Sequence, residues 1–594
     1  MVAIKLPIFS GMVPSIDPHL LADQNASFAQ NAWLYSGALS GLPKMAELHT
    51  LANPQATIAF RIPGNEADPT YLYNSTWMEF ENVNTDFISA PVADDMHKRF
   101  YWASTSTPPM YNTLDRIRNG QPAWLLGVPQ PGNLTVNAAG GSSSTTVSRA
   151  YVATLVTAYG EEGPTSNPVL INGKVDDTYT VTIPAVPAAD LGVQRNITKI
   201  RLYRTITSAA GTATYYQVAE LNALATTQTY DDTMSDATLA SNPILESTAW
   251  TAPPDLEGIC TMPNGIVAGF KKNELYFSEA YRPHAWPAAY ALTLEHDIVG
   301  LAVVSQTLVV CTKGNPYTAS GVNPASITTS MLAAFEPCLT KGSILPTEAG
   351  VYYTSPNGLI LVNAGFAQNV TQQFISRDKW NELANRAKIN AGRLGTAFYA
   401  FGMGVQRIAQ DNFIQQNMVQ QESNDGASDG FLIDPTNTNV GMVVLRSPSN
   451  VKSVRNDIFS GEMLVVMDGK VYWLDQRPGY EIDPYIWRSK VFQTPYMKNF
   501  AAFKVYFYEP EGIIEFPNPP NFDPNQEFDP ATQLAVVRVF ADNRIILTHE
   551  LRKSGELHRL PSGFKADFWQ IEIEARVPIK SFQMATSVKE LQFV

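Results

Sequence analysis

The stretch from Gly258 to Val362 repeats one short plan three times, and that leaves few folds open to the chain. Each copy is an apolar run, a tight polar turn, a second apolar run and a polar exit. The turns are KKNE at 271–274, SQ at 305–306 and SPNG at 355–358. Gly358 follows Pro356 and Asn357, where a hairpin turn often needs a positive φ. The apolar runs are rich in Val, Ile, Tyr and Phe and are too short for helices, so they favour strands. Hairpin centres roughly 30–50 residues apart match the spacing of propeller blades. The fold class is therefore mainly β, a propeller-like array of β-hairpins.

At 594 residues the chain exceeds one hydrophobic core and divides into parts. Residues 1–126 read as an extended N-terminal arm, a short helix from Gln24 to Ala32 capped by Asp23, and the first propeller strands. Pro7, Pro14 and Pro18 argue against regular strand pairing in that arm. Residues 127–146 are a Gly/Pro/Ser-rich linker. Beyond it, 147–246 shows short strands spaced as in an inserted β-sandwich. In KIRLYRT, Ile200 and Leu202 share one face, and Arg201 and Tyr203 the other. Residues 247–500 form the central propeller body, with a helix at 376–388 that carries Ser376 as N-cap and Trp380, Leu383 and Ala387 at helical spacing. Asp468–Gly469 is the clearest two-residue turn signal. Residues 501–594 make a C-terminal sheet. Two long polar loops, 405–430 and 510–533, contain one basic residue between them, Arg407. Loops that long on a rigid scaffold are functional candidates.

The chemistry of the chain points away from catalysis. None of the seven histidines stands in a metal-binding spacing, and no nucleophile elbow, phosphate loop or dinucleotide fingerprint is present. No catalytic, metal or cofactor-binding residue is singled out, and no cofactor is expected. NDGASDG at 424–430 lacks the alternating carboxylates of a calcium loop. Asp231, Asp232 and Asp236 read as a solvated strand exit. The aromatic stripe 281–290 reads as packing against a neighbouring blade. Cys260, Cys311 and Cys338 sit in or beside apolar strands and read as small buried hydrophobes in a reducing cytoplasm. The net charge of −13 repels nucleic acid as a whole-chain field. The N-terminus lacks a signal-peptide core, and no apolar run is long enough for a membrane helix.

The opening, GMVPSIDPHLLADQNASFAQNAWLYSGALSGLP, resembles the N-terminal signature of tail-nozzle proteins of short-tailed bacteriophages, also called tail-hub or packaged-DNA-stabilisation proteins. The matching positions are Gly11, Pro14, Leu20, Leu21, Ala26, Asn31, Gly37, Leu39 and Pro43. SEAYRPHAWP, IVGLAVVSQTLVVCTKGNPYTASGVNPAS and SPNGLILV are similar to the propeller strands of prophage-encoded relatives. VTAYGEEGPTSNPV followed by IRLYRT resembles the fibronectin-type-III-like insert found there. The resemblance implies a structural virion protein, assembled in the host cytoplasm as a homohexameric ring at the distal end of a short tail. It implies an adaptor protein above the ring, fibres or spikes around it, and genome DNA passing non-specifically through its lumen. The alternatives are a receptor-binding adhesin of the tail and a virion-associated glycan hydrolase. No lumen residue can be named from sequence.

Overall fold

The computed structural model of the chain describes residues 3–592 apart from 65–74, 207–213, 385–388, 403–427, 438–439, 475–481 and 509–533. Seven sheets follow one another around an axis. Blade 1 is the hairpin Ile58–Ile62 and Thr76–Phe80. Blade 2 runs Asp86–Ser89, Arg99–Ser104, Thr107–Thr113 and Trp124–Leu125, and blade 3 fills Gly258–Thr293. Blade 4 fills Ile298–Met331, blade 5 Leu345–Asn369 and blade 6 Asn390–Ser447. Blade 7 takes three strands from Val451–Leu474 and a fourth, Met45–Thr50, from the N-terminal part of the chain. The first strands of blades 2 to 7 pack successively against one another. Ile58, Phe60 and Ile62 share a core with Phe87, Phe100 and Trp102 of blade 2. Ala59 packs with Leu464 and Val466 of blade 7, which closes the ring.

Turn chemistry explains the hairpins. Gly358 has φ +147, and the two-residue turn Asp468–Gly469 has φ 51 and 70, the left-handed pair that matches strand twist. Lys272 and Ser305 take φ 54 and 55 at the other two repeat turns, where no glycine is present.

The inserted sandwich lies between blades 2 and 3. One antiparallel sheet holds Thr135–Ala139, Thr178–Ile183 and Gln228–Asp232; the other holds Val169–Lys174, Thr146–Thr157, Ile197–Thr205 and Tyr215–Asn222. They enclose a core of their own, including Tyr151, Leu155, Tyr179, Ile200 and Leu202. Its first strand therefore lies inside the segment expected as linker, 127–146. Arg201 and Tyr203 do lie on the opposite face from Ile200 and Leu202, where both bond Glu162 at 2.7 and 2.8 Å.

The C-terminal body starts at Tyr485, earlier than the expected 501, because Tyr485–Ser489 and Phe492–Lys498 pair with Ala566–Ala575. It also takes up the N-terminal arm. Ala3–Leu6 pairs with Phe582–Ala585, and Asn25–Gln30 pairs with Ile486–Ser489. Two expectations are thereby corrected. Pro7, Pro14 and Pro18 fall between paired strands and do not prevent pairing. Where a helix was expected over 24–32, Asn25–Gln30 forms a strand, because cross-strand partners supply its bonds: Ser27 Oγ donates to Ser489 O at 2.8 Å. Asp23 takes Lys490 Nζ at 2.9 Å.

The later helix is Arg377–Ala384, with Ser376 Oγ accepting from Lys379 N at 3.4 Å. Trp380 is fully buried and donates its indole N–H to Ser355 O at 2.7 Å. The side chains of Leu383 and Ala387 lie outside the described residues. So do most of loop 405–430, whose last residues open the strand Ser428–Ile433, and all of 510–533 but none of its flanking strands.

A fragment spanning 127–250 contains all seven sandwich strands and that core, and is expected to melt cooperatively on its own. A 147–246 fragment lacks Thr135–Ala139 and is expected to show no cooperative transition, since the loss bares one side of Thr178–Ile183. Thermal unfolding by circular dichroism checks both.

Candidate functional site

The signature residues are brought together as a seam between propeller and C-terminal body. Blade 6 continues through Ser10–Met12 and Asn25–Gln30 into Tyr485–Ser489, so one sheet of eleven strands crosses from one unit to the other. Gly11 sits where backbones meet: its N–H donates to Val440 O at 2.7 Å, and a Cβ there would lie 2.3 Å from that oxygen. Ala26, paired with Met12, is buried, and so is Leu21. Asn31 adopts φ 52 and bonds one backbone residue in both directions. Its Nδ2 donates to Arg446 O at 3.1 Å, and its Oδ1 accepts from Arg446 N at 2.9 Å. Gly37 has φ +75, and its carbonyl accepts from Phe9 N at 2.9 Å. Leu39 is fully buried and bridges to Ile579, and Pro43 bridges to Ile482. Pro14 offers its carbonyl to Lys379 Nζ at 2.7 Å. Leu20 alone among the apolar signature side chains stands out from the protein, 77% exposed.

The propeller axis holds a second constellation, invisible to spacing because its members come from distant parts of the chain. Lys341, rooted between blades 4 and 5, crosses to blades 2 and 3. Its Nζ lies 2.7 Å from Asp86 Oδ2 and donates to Asn84 O at 2.8 Å and Glu257 O at 3.3 Å. Gly258 is required for this approach, since a Cβ there would lie 2.7 Å from Lys341 Nζ. Arg455 stacks on Phe60 with its guanidinium carbon 3.5 Å from the ring centroid. Enclosure lowers its pKa to about 9, and enclosure also raises that of Asp86 against the pull of Lys341. Nearby, the fully buried Arg61 grips Asp457 through Nε at 3.1 Å and reaches Glu462 at 3.0 Å. Three cations thus face three carboxylates, so the axial cluster is neutral. It braces the ring.

A third cluster fixes the sandwich to the propeller. Arg99 of blade 2 binds Asp95 at 2.9 Å and Glu161 of the sandwich at 2.6 Å. Tyr111 OH donates to Asn196 Oδ1 at 2.8 Å, and the His97 and Tyr159 rings lie 4.3 Å apart. His284 of blade 3 packs against the same carboxylate, Nδ1 to Oε1 3.9 Å. Burial, with Arg99 and Arg282 nearby, lowers its pKa to about 3, while burial raises that of Glu161. The aromatic stripe 281–290 also packs here: Trp286 shares a core with Tyr101, Tyr111 and Trp124 of blade 2.

The expected solvated exit at Asp231, Asp232 and Asp236 holds for Asp231, which is exposed, and is corrected for the other two. Asp232 is fully buried, taking Arg204 Nε and Tyr151 OH at 2.7 Å each, and Asp236 takes Arg204 Nη1 at 2.7 Å. The pleat carries those partners inward from other strands, which no local pattern reveals. Cys311 and Cys338 are buried and Cys260 is half-buried. Among the described residues no group of three His, Cys, Asp or Glu converges as metal ligands. No helix among them is long and apolar enough to cross a membrane.

No protein family and no curated protein matches the chain. Among solved structures, the chain is similar to the N-terminal domain of Nup159, at 12% identity over 46% of this chain and 85% of that one, TM-score 0.21. It is also similar to BBS1N in complex with ARL6DN, at 12% identity over 50% and 88%, TM-score 0.20. Hsv2 of Kluyvelomyces marxianus follows at 9% identity over 52% and 90%, TM-score 0.22. These are β-propeller proteins. At such scores they carry no argument, and the fold rests on the strand order above.

Gly11→Ala forces a methyl group into a carbonyl and is expected to cost about 1–3 kcal/mol, the usual range for overpacking. Denaturant unfolding with an unchanged m-value checks it. His284 binds its proton in the unfolded chain near pH 6.5 but in the folded one only near pH 3. Between those values the unfolded state holds more protons, so this residue withdraws stability as pH falls, by up to about 1.4 kcal/mol per pH unit. Glu161 acts in the opposite sense, because its raised pKa lets the folded chain take its proton first. Comparing His284→Gln with the parent isolates the histidine: the variant is expected to lose less stability between pH 6.5 and 4.

Proposed function

We propose that the chain is the subunit of a nozzle, a ring of copies at the distal end of a short phage tail that conducts genome DNA and carries fibres. One observation carries this reading. Several of the N-terminal residues on which the resemblance rests, Gly11, Ala26, Asn31 and Leu39 among them, lie along a seam joining two β bodies, as suits a part that must stay rigid while DNA is driven past it. Leu20, 77% exposed, is the position at which this reading places a contact with a neighbouring subunit.

The path for DNA in this reading lies between copies. The axis of a single propeller is spanned by Lys341, and a duplex does not fit where one side chain reaches across. A lumen built from chains of net charge −13 makes few counterion-releasing contacts with phosphate, so DNA slides. In this reading the long polar segments 405–430 and 510–533 are assigned the gate of the channel.

Native mass spectrometry of the purified chain is expected to show a closed ring, six-membered by the resemblance. Leu20→Glu is expected to shift it toward monomer without changing its melting temperature. Duplex DNA is expected to bind no tighter than roughly 10⁻⁴–10⁻⁶ M at physiological salt. A monomer that binds duplex at nanomolar concentration overturns the conduit. A purified chain that binds host cells without fibres assigns it to the adhesins instead.

A further inference from the structure

Asp457 directly follows the first strand of blade 7, Val451–Asn456, and is 3% exposed. Its hydrogen bonds crowd onto one carboxylate oxygen. Oδ2 accepts from Arg61 Nε at 3.1 Å, from Ser460 N at 3.2 Å and from Ser460 Oγ at 2.8 Å. Oδ1 is enclosed as well and has no hydrogen-bond partner. Two residues earlier, Arg455 shows the complementary gap: its Nε–H is enclosed and has no acceptor. Both side chains face blade 1. Ser453 Oγ donates to Thr57 O at 2.7 Å, Arg455 lies 3.5 Å over the Phe60 ring, and Asp457 meets Arg61. Alternate residues of a strand share a face and stand about 7 Å apart. A bare donor and a bare acceptor therefore line one face of one strand, at a spacing that a single small molecule can span.

Charge decides what kind of molecule suits the gap. Asp86 is held by Lys341 at 2.7 Å, and Asp457 and Glu462 share Arg61. Arg455 is left without a carboxylate of its own among the described residues, so an anion is favoured at its N–H. The bare oxygen of Asp457 repels an anion unless that anion brings it a proton. A hydrogenphosphate group meets both demands. One of its oxygens accepts from Arg455 Nε–H, and its P–OH donates to Asp457 Oδ1. Sulfate is the same shape but has no proton to donate at neutral pH. Arg455 is only half-buried, which leaves its guanidinium a way to solvent and the ion a way in. We propose that Arg455 and Asp457 form a site for a hydrogenphosphate group between blade 7 and blade 1, selective for that group over sulfate. The site is independent of the nozzle reading.

The test uses the full chain, dialysed free of phosphate. It is titrated at neutral pH and constant ionic strength with inorganic phosphate, glycerol 1-phosphate and sodium sulfate, by isothermal titration calorimetry. Saturable binding of phosphate is expected, with sulfate at least roughly tenfold weaker, because sulfate leaves Asp457 Oδ1 bare against its charge. A response to inorganic phosphate alone assigns the free ion, and a response to both phosphates assigns the monoester as well. Arg455→Gln, with its circular dichroism spectrum unchanged, is expected to abolish the binding. Should that variant fail to fold, the comparison of phosphate with sulfate on the parent chain decides alone. Sulfate that binds as tightly as phosphate overturns the inference and marks an adventitious ion only. The absence of any phosphate binding up to about 10 mM overturns it too, and leaves a bridging water to complete the pair. So does a folded Arg455→Gln chain that binds phosphate as the parent does.

Discussion

Ring closure is the constraint on which the rest of the molecule depends. Met45–Thr50 leaves the N-terminal part of the chain to pair with Lys470–Leu474, so blade 7 exists only when residues over 400 positions apart have met. A propeller that is open at one blade exposes strand edges and both faces of the neighbouring blades to water. Closing it costs chain entropy in one step, and the apolar contacts of Ala59 with Leu464 and Val466 repay that step only after it is taken. The ring is therefore a single cooperative object, and its inner charges can be held in a fixed pattern.

Two consequences follow from that rigidity. The sandwich can be inserted between blades 2 and 3 without opening the ring, because its two ends leave and return at neighbouring sheets and its core is its own. The C-terminal body can be welded on as well, because blade 6 extends sideways through Ser10–Met12 and Asn25–Gln30. The seam combines strand pairing with side-chain bonds: Gly11 lets two backbones touch, and the Asn31 side chain bonds the Arg446 backbone in both directions. A weld of that kind transmits force between bodies with little give, whereas a flexible linker would not.

The charged groups divide by what surrounds them. Arg204 with Asp232, and Arg61 with Asp457, are enclosed pairs, and losing one partner from such a pair strands a buried charge. Lys341 and Arg455 lie where several blades meet, and enclosure there lowers the pKa of Arg455. Arg99 and Glu161 lie between two bodies, and their ion pair ties the sandwich to blade 2. None of these sets stands close together in sequence.

Strand runs, turn sites and the place of the insertion were legible in the sequence, because each is a local matter. Asp468–Gly469 forces a hairpin wherever it is put, and a Val/Ile/Tyr run of six residues buries best as a strand. The signature positions were also legible, as a pattern, but their work as a seam was not. Residues 24–32 show why: a cap and a short polar-apolar run favour a helix locally, and only the strands at 10–12 and 485–489 make extension the better choice. Blade number, the closing strand, the axial Lys341–Asp86 contact and the burial of Asp232 were decided by the tertiary structure alone. Each depends on which distant strands become neighbours, and that is settled by the summed burial of whole sheets, to which no short stretch of sequence holds more than a part.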